Sequence, residues 1–143
     1  MRGWFVATGI GVLAGCGASA PTTAGGADAV TGTRDAVLAI GERVTVPEAG
    51  LTVRFEGVPV DQRCPIPWQC FAAGNADVAL RIDRAGSERP DTVVVLSSDR
   101  PELVVAVDGA RLELRSLTPQ PRAERQTPPG EYRAGIRISR LAP

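Results

Sequence analysis

The chain has 143 residues, and its 16 basic and 16 acidic residues give a formal net charge of zero. This length fits one domain with some chain left for a leader. Because nucleic-acid binding needs a concentrated basic patch, a near-neutral chain indicates no nucleic-acid partner.

Two residue types are missing, and their absence excludes several chemistries. The chain has no His, which is the most common general base and metal ligand, and all its basic residues are Arg. Without Lys, Schiff-base mechanisms are excluded as well. A hydrolase that uses two carboxylates remains an alternative, but we expect a non-catalytic protein with no metal and no cofactor.

Residues 1–15 have the features of an export signal. Arg2 provides a positive charge, and the apolar stretch from Trp4 to Leu13 is shorter than the roughly 20 residues that a helix needs to cross a bilayer. The stretch ends in Leu13-Ala14-Gly15-Cys16. These four residues resemble the lipobox of bacterial lipoproteins, in which a peptidase cuts before a cysteine whose thiol has been acylated.

The lipobox resemblance implies a location. It implies that Cys16 carries acyl chains such as palmitate, which anchor the protein to a membrane outside the cytoplasm. Gly17 follows Cys16, where retention at the inner membrane is associated with Asp. In a Gram-negative host this implies the outer membrane, facing the periplasm. The alternative is an ordinary secretory signal cleaved near Ala18-Ser19-Ala20.

Residues 16–35 are predicted to be the lipidated cysteine and a flexible linker. Gly, Ala, Ser, Thr and Pro dominate them, and they contain few large apolar side chains. Such a composition cannot bury a core. We therefore expect a tether between the membrane and a folded domain of residues 36–143.

Within residues 36–143 the apolar residues recur with a period of two, which predicts strands with one buried face. The alternation is clear in 51–56, 76–83, 111–115 and 134–139. Asp108-Gly109 predicts a tight hairpin turn, and a change of phase at Leu117 indicates a bulge near Arg115-Ser116. We predict about seven strands, at 41–46, 51–58, 75–84, 92–97, 102–107, 110–117 and 131–141.

The predicted fold class is therefore all-β, a small antiparallel β-sandwich or barrel with one disulfide-stapled loop. Cys64 and Cys70 supply the staple. In an exported protein two cysteines close in sequence favour a disulfide. A metal site would lack further ligands, and redox-active pairs usually have two residues between the cysteines, not five.

The segment around these cysteines resembles a known pattern. Asp61-Gln62-Arg63-Cys64-Pro65, Cys70 and Gly74-Asn75-Ala76 are similar to an uncharacterised family of small exported bacterial proteins with a D-S-R-C-P…C…A-G-N-A signature. Gln62 stands where the family has Ser, and Phe71-Ala72 where an aliphatic residue followed by Trp is usual. The resemblance implies a β domain with this disulfide, and it implies no activity.

Two long connections, 59–74 and 118–130, are the candidate functional loops. If every connection reverses the chain direction, both lie at one end of the domain together with 98–101. We predict a binding surface there, made of Asp61, Arg63, Ile66, Trp68, Phe71, Arg100, Arg122 and Arg125. The alternatives are that Asp61 and Arg63 hold the loop through an ion pair, that Gly74-Asn75 is a turn that needs positive φ, and that 118–130 is a disordered strap.

Three functions are compared. The leading hypothesis is a membrane-anchored, non-catalytic envelope lipoprotein whose β domain binds another macromolecule or envelope component, and this requires an exposed apolar patch. A protease inhibitor that presents the Cys64–Cys70 loop is an alternative, and it requires Ile66 to Gln69 to protrude. A carboxylate-based hydrolase is the third, and it requires two neighbouring carboxylates in a cleft.

Overall fold

The computed structural model describes residues 30–88, 91–100, 105–107 and 109–141. The predicted signal peptide and Cys16 lie outside these residues. Two antiparallel four-stranded sheets pack against each other around one apolar core, so the predicted all-β class is confirmed. The strands in the described ranges are β1 Val30–Ala39, β2 Arg43–Val46, β3 Leu51–Asp61, β4 Ala76–Arg84, β5 Thr92–Ser97, β6 Val105–Val107, β7 Ala110–Thr118 and β8 Arg133–Leu141.

The first sheet has the strand order β1-β8-β7-β6, and the second has the order β2-β3-β4-β5. Alternate residues of each strand enter the core, as the period of two predicts. Val53, Phe55, Val78 and Leu80 of the second sheet are fully buried against side chains such as Leu112 of the first. Among the described residues, no helix is long and apolar enough to cross a membrane.

The linker prediction is wrong for residues 30–35, which belong to β1. This strand pairs with β8 along its whole length, from Val30↔Leu141 to Ala39↔Arg133. Its central side chains are mostly small, polar or exposed, so it has no apolar alternation that a sequence pattern could reveal. Backbone hydrogen bonds to β8 supply the stabilisation that the composition does not indicate. The other predicted strands are all present, with the first of them shortened to β2.

Two local predictions are confirmed. β7 and β8 change register between Leu114 and Ser116, which is the expected bulge. The β6–β7 turn is tight, because Val107 pairs with Ala110 and Gly109 has a φ of 77°.

The long connections share one end of the sandwich, as predicted. Backbone hydrogen bonds join Ile66 to Pro121 and Ser98 to Ala76, so segments 62–75, 98–100 and 119–132 lie side by side. The prediction that these connections share one end holds although one strand was missed. The missed strand, β1, precedes all of these connections and does not change their relative order. We call this end the loop end. β1 begins at the opposite end, where β8 finishes.

Candidate functional site

A disulfide closes the ring of residues 64–70 at the loop end. Cys64 and Cys70 are bonded with their Cα atoms 5.8 Å apart, which confirms the predicted pair. The backbone N–H of Trp68 donates to the carbonyl of Pro65 at 2.9 Å and closes a turn inside the ring. The N–H of Cys64 donates to Ala73 at 2.7 Å, so the ring is also fixed to the chain that leaves it.

The second long connection supports the ring from one side. Ile66 donates its N–H to Pro121 at 2.9 Å and accepts one from Ala123 at 3.0 Å, so both polar groups of its backbone are bound. The amide of Gln120 donates to the carbonyl of Cys64 at 3.0 Å. Segment 120–123 is thus an ordered support of the ring, and the structure does not favour the alternative of a disordered strap.

Beneath the ring, a cluster of polar side chains connects three strand ends. Arg63 forms a two-pronged ion pair with Asp61, with nitrogen–oxygen distances of 2.8 and 2.7 Å. The Arg63 guanidinium also donates to the carbonyls of Leu117 and Pro119, both at 2.8 Å. The hydroxyl of Tyr132 donates to Asp61 at 2.9 Å. We call Asp61, Arg63 and Tyr132 the Asp61 cluster; it joins the ends of β3 and β7 to the start of β8.

The Asp61 cluster lies below the surface. The side chains of Arg63 and Asp61 are only 10% and 11% exposed, and Tyr132 is buried. The structure therefore places two of the predicted surface residues inside the domain, where they hold the loop. This agrees with the structural alternative for Asp61 and Arg63, in which an ion pair holds the loop.

The electrostatics of the cluster favour an ionised Asp61. Burial raises the pKa of its carboxyl, but hydrogen bonds from Arg63 and Tyr132 and the charge of Arg63 outweigh burial and hold the pKa below its usual value of 3.8. Burial and the hydrogen bond to Asp61 raise the pKa of Tyr132. At neutral pH the pair is therefore a carboxylate that accepts a hydrogen bond from the hydroxyl of a neutral phenol.

Tyr132 was not among the predicted site residues. It is the one Tyr of the chain and stands at the start of the last predicted strand. A buried Tyr needs a hydrogen-bond partner for its hydroxyl, so its position was a usable signal that a polar group lies nearby. The sequence could not identify that group as Asp61, which is 71 residues away.

A second polar cluster, also missed from the sequence, fixes the exit from the ring. The amide of Asn75 donates to Asp77 at 3.1 Å and to Ser97 at 3.2 Å, and Ser97 donates to Asp77 at 2.8 Å. Gly74 has a φ of +69°, and a Cβ there would collide with the carbonyl oxygen of Gln62. The prediction of a positive-φ turn at Gly74-Asn75 is confirmed, and only Gly fits its first position.

The exposed part of the ring is apolar. Trp68 is 64% exposed, Ile66 is 41% exposed, and Phe71, just after the ring, is fully exposed. No charged residue occurs between Cys64 and Gly74. We call Ile66, Trp68 and Phe71 the apolar tip. The structure thus leaves three of the predicted surface residues exposed on an uncharged segment whose backbone is held by the disulfide and by hydrogen bonds.

The three predicted arginines differ in their surroundings. Arg125 is engaged by Glu131 at 2.6 and 2.9 Å, and Arg100 lies 3.9 Å from Asp99. Arg122 lies beside Ile66 through a backbone bridge. The structure therefore provides an apolar tip with Arg122 close to it, whereas Arg125 and Arg100 lie next to the carboxylates of Glu131 and Asp99.

A cleft of about 860 Å³ lies between the support segment and the Asp61 cluster. Arg122, Arg125 and Gln126 are among its polar lining residues, and its carboxylate, Asp61, is bound by Arg63. The lining prolines are Pro59, Pro65, Pro121, Pro128 and Pro129. The cleft holds no pair of neighbouring carboxylates. Within the described ranges, no group of three or more potential metal ligands of the His, Cys, Asp or Glu type occurs.

Two neighbouring carboxylates occur elsewhere, at Asp83 on β4 and at Asp91, which directly precedes β5. Burial, and then the adjacent Asp91 carboxyl, raise the pKa of Asp83. Neither residue lines the cleft.

Comparison with protein-family models, curated proteins and solved structures finds no match for this chain.

Proposed function

We propose that this protein is a membrane-anchored, non-catalytic envelope lipoprotein whose β domain binds another macromolecule or envelope component through the apolar tip. Anchoring follows from the lipobox resemblance at Leu13–Cys16, with the outer membrane as the location in a Gram-negative host. The partner is a protein or an envelope component. No nucleic acid, cofactor or metal is part of the proposal.

The observation that carries the binding proposal is the exposure of the tip. Trp68 and Phe71 hold large apolar surfaces in water, and such surfaces are favourable only when a partner covers them. Exposed aromatic side chains are typical anchors of protein interfaces. No acidic or basic group in segment 64–74 has to be desolvated when the tip is covered.

The support of the tip favours recognition because it is already ordered. The disulfide and the hydrogen bonds of Ile66 to Pro121 and Ala123 fix the backbone before binding. A preordered surface loses less conformational entropy when it binds. The start of β1 lies at the other end of the domain, so a linker that enters there leaves the tip uncovered.

The alternative of a protease inhibitor has one observation in its favour, because Ile66 to Gln69 are exposed. The hydrogen bond from Trp68 to Pro65 folds this segment into a turn, whereas a substrate-mimicking loop has to be extended. The alternative of a hydrolase lacks support in the cleft, whose carboxylate is engaged by Arg63 and Tyr132. Binding without catalysis is therefore the preferred proposal.

The anchor is tested by the Cys16→Ala variant of the full chain in a bacterial host. The wild-type protein should partition into the detergent phase, and the variant should be released or remain unprocessed. A soluble wild-type protein whose mature chain begins at another residue contradicts the anchor.

The binding surface is tested by photo-crosslinking in the native envelope. A photoreactive residue at position 71 should give a discrete adduct, and Trp68→Ala should remove it. Val37→Ala is the matched control, because Val37 is 68% exposed but belongs to β1 and not to the ring. An adduct that persists in Trp68→Ala, or disappears equally in Val37→Ala, contradicts the proposal.

A further inference from the structure

The edges of the two sheets differ in how well they are protected against pairing with another strand. An edge strand presents unpaired N–H and C=O groups, and natural proteins protect such edges by shortness, charge, proline or irregularity. β2 has four residues and β6 has three. β1 is longer, but it contains Arg34 and Asp35 and a register irregularity between Val30 and Gly32.

β5 has none of these protections. Its six residues, Thr92–Ser97, contain no charge, proline or glycine. It pairs with β4 in unbroken register from Ile82↔Thr92 to Asp77↔Ser97. Among the described strands, none pairs with its other edge.

The outward face of β5 is also apolar. Val93 and Val95 are 52% and 51% exposed, and Val95 pairs with Ala79 of β4. The neighbouring charge on β4, Arg81, is engaged by Glu56 and Asp91 at 3.2 and 3.5 Å. An open, regular and apolar edge therefore runs along the side of the sandwich, separate from the apolar tip.

We propose that β5 pairs antiparallel with β5 of a second copy of this chain, so that two four-stranded sheets become one of eight strands. The strand is self-complementary in this arrangement. With Val94 at the two-fold axis, Val93 lies opposite Val95 of the second copy, and Thr92 lies opposite its Leu96. Each copy uses its β5 edge once, so the contact closes as a dimer and does not propagate into a fibre.

Charges of both signs flank β5, with Asp91 directly before it and Asp99 next to Arg100, and among them the pair Glu88 and Arg100 favours the antiparallel direction. Glu88 precedes the strand, and Arg100 follows it with 64% of its side chain exposed and its nearest carboxylate, Asp99, 3.9 Å away. Antiparallel pairing brings the Glu88 end of one copy to the Arg100 end of the other, at both ends of the interface. Parallel pairing would place like charges together, which is unfavourable across an interface.

The dimer is compatible with the other features of the domain. β1 packs over β2 and β3, whereas β5 packs near β7, so the start of the domain and the pairing edge lie on different sides of the sandwich. The apolar tip lies at the loop end and remains uncovered in both copies. The dimer proposal is thus independent of the proposed partner.

The test is the oligomeric state of the full chain, extracted in detergent and measured by light scattering after size exclusion. We expect a dimer for the wild type. Val95→Arg should weaken dimerisation by on the order of tenfold or more, since it places a charge opposite the apolar Val93 of the second copy. Val37→Arg is the control, because it introduces the same charge at an exposed valine of the protected edge strand β1 and should remain dimeric.

A charge exchange tests the direction of pairing. Arg100→Glu should weaken the dimer, and the double variant with Glu88→Arg should restore it. Circular dichroism checks that each variant is folded. A wild type that is monomeric at about 100 µM, a Val37→Arg variant as monomeric as Val95→Arg, or a double variant weaker than Arg100→Glu alone overturns the proposal. Trp68→Ala should leave the dimer unchanged, so the outcome does not depend on the tip.

Discussion

The Asp61 cluster and the apolar tip belong to one short segment of the chain and have opposite environments. The side chains of Asp61 and Arg63 are only 11% and 10% exposed, and their polar groups are engaged by Tyr132 and by backbone carbonyls. Trp68 and Phe71, less than a dozen residues further on, are exposed. In this segment the charged residues hold the structure and the apolar residues are available to a partner, which is the reverse of the usual division.

The largest effect is expected from Arg63→Ala. This variant leaves the Asp61 carboxylate without its cation in a place where little of it reaches solvent. Because breaking a buried ion pair costs roughly 3–5 kcal/mol, we expect a loss of stability of that order. The free energy of unfolding, measured in urea, should fall accordingly. Arg125→Ala removes a two-pronged ion pair of similar geometry on the surface and should change stability little. Equal losses in the two variants would show that burial of the Asp61 cluster has no energetic role.

Removal of the disulfide tests how the ring between the Asp61 cluster and the apolar tip is held in place. The Cys64→Ser, Cys70→Ser double variant should lose about 2 kcal/mol, because the closed ring restricts the unfolded chain. The hydrogen bonds of Ile66 to segment 121–123 should persist, so the ring backbone should still be protected from amide exchange. A variant that loses this protection entirely would show that the disulfide alone orders the tip.

Tyr132→Phe is a milder change in the cluster. It removes one of the hydrogen bonds to Asp61 but leaves the ion pair with Arg63 in place. A hydrogen bond to a charged group contributes about 1.5 kcal/mol, and we expect a loss of that size in the urea titration. Thr127→Val removes a hydroxyl that also interacts with Tyr132, and it should cost less because the bond from Tyr132 to Asp61 stays in place. A loss as large as that of Arg63→Ala would show that the phenol, not the guanidinium, supports the carboxylate.

The pH dependence of stability should report on Asp61. Its pKa is lower in the folded protein than in the unfolded chain, so its contribution is present above the unfolded pKa of 3.8 and is lost as pH falls through the folded pKa. Stability should therefore decline from about pH 5 to about pH 2. Asp61→Asn should start less stable and show a shallower decline over this range. An identical decline in both proteins would assign the acid sensitivity to other carboxyls.

The smallest effect on stability is expected at the tip. Trp68→Ala and Phe71→Ala remove side chains that contribute little to the core, and surface changes of this kind usually stay within about 0.5 kcal/mol. Thermal unfolding should therefore be nearly unchanged, although the crosslinked adduct is lost. A strongly destabilised Trp68→Ala variant would mean that Trp68 packs against the domain and is not a free anchor.

Much of the fold could be predicted from local patterns. Local sequence patterns, with a period of two in four of the segments, identified seven of the eight strands in the described residues. The change of phase at Leu117 located the bulge, and the spacing of Cys64 and Cys70 indicated their bond. These features are local, because a strand shows its buried face through residues two positions apart. The placement of the long connections at one end of the domain could also be predicted, because strand direction alternates along the chain.

Other features depend on contacts between distant parts of the chain. β1 has a polar composition, and only its pairing with β8 makes it a strand. The sequence could nominate Asp61, Arg63, Trp68 and Phe71 together, but it could not show which of them are buried, because Tyr132 and the carbonyl of Leu117 come from other strands. The open edge of β5 likewise follows from sheet order. Composition and periodicity determined the β class and the ring, whereas tertiary pairing decided which polar groups are satisfied and which surfaces remain free.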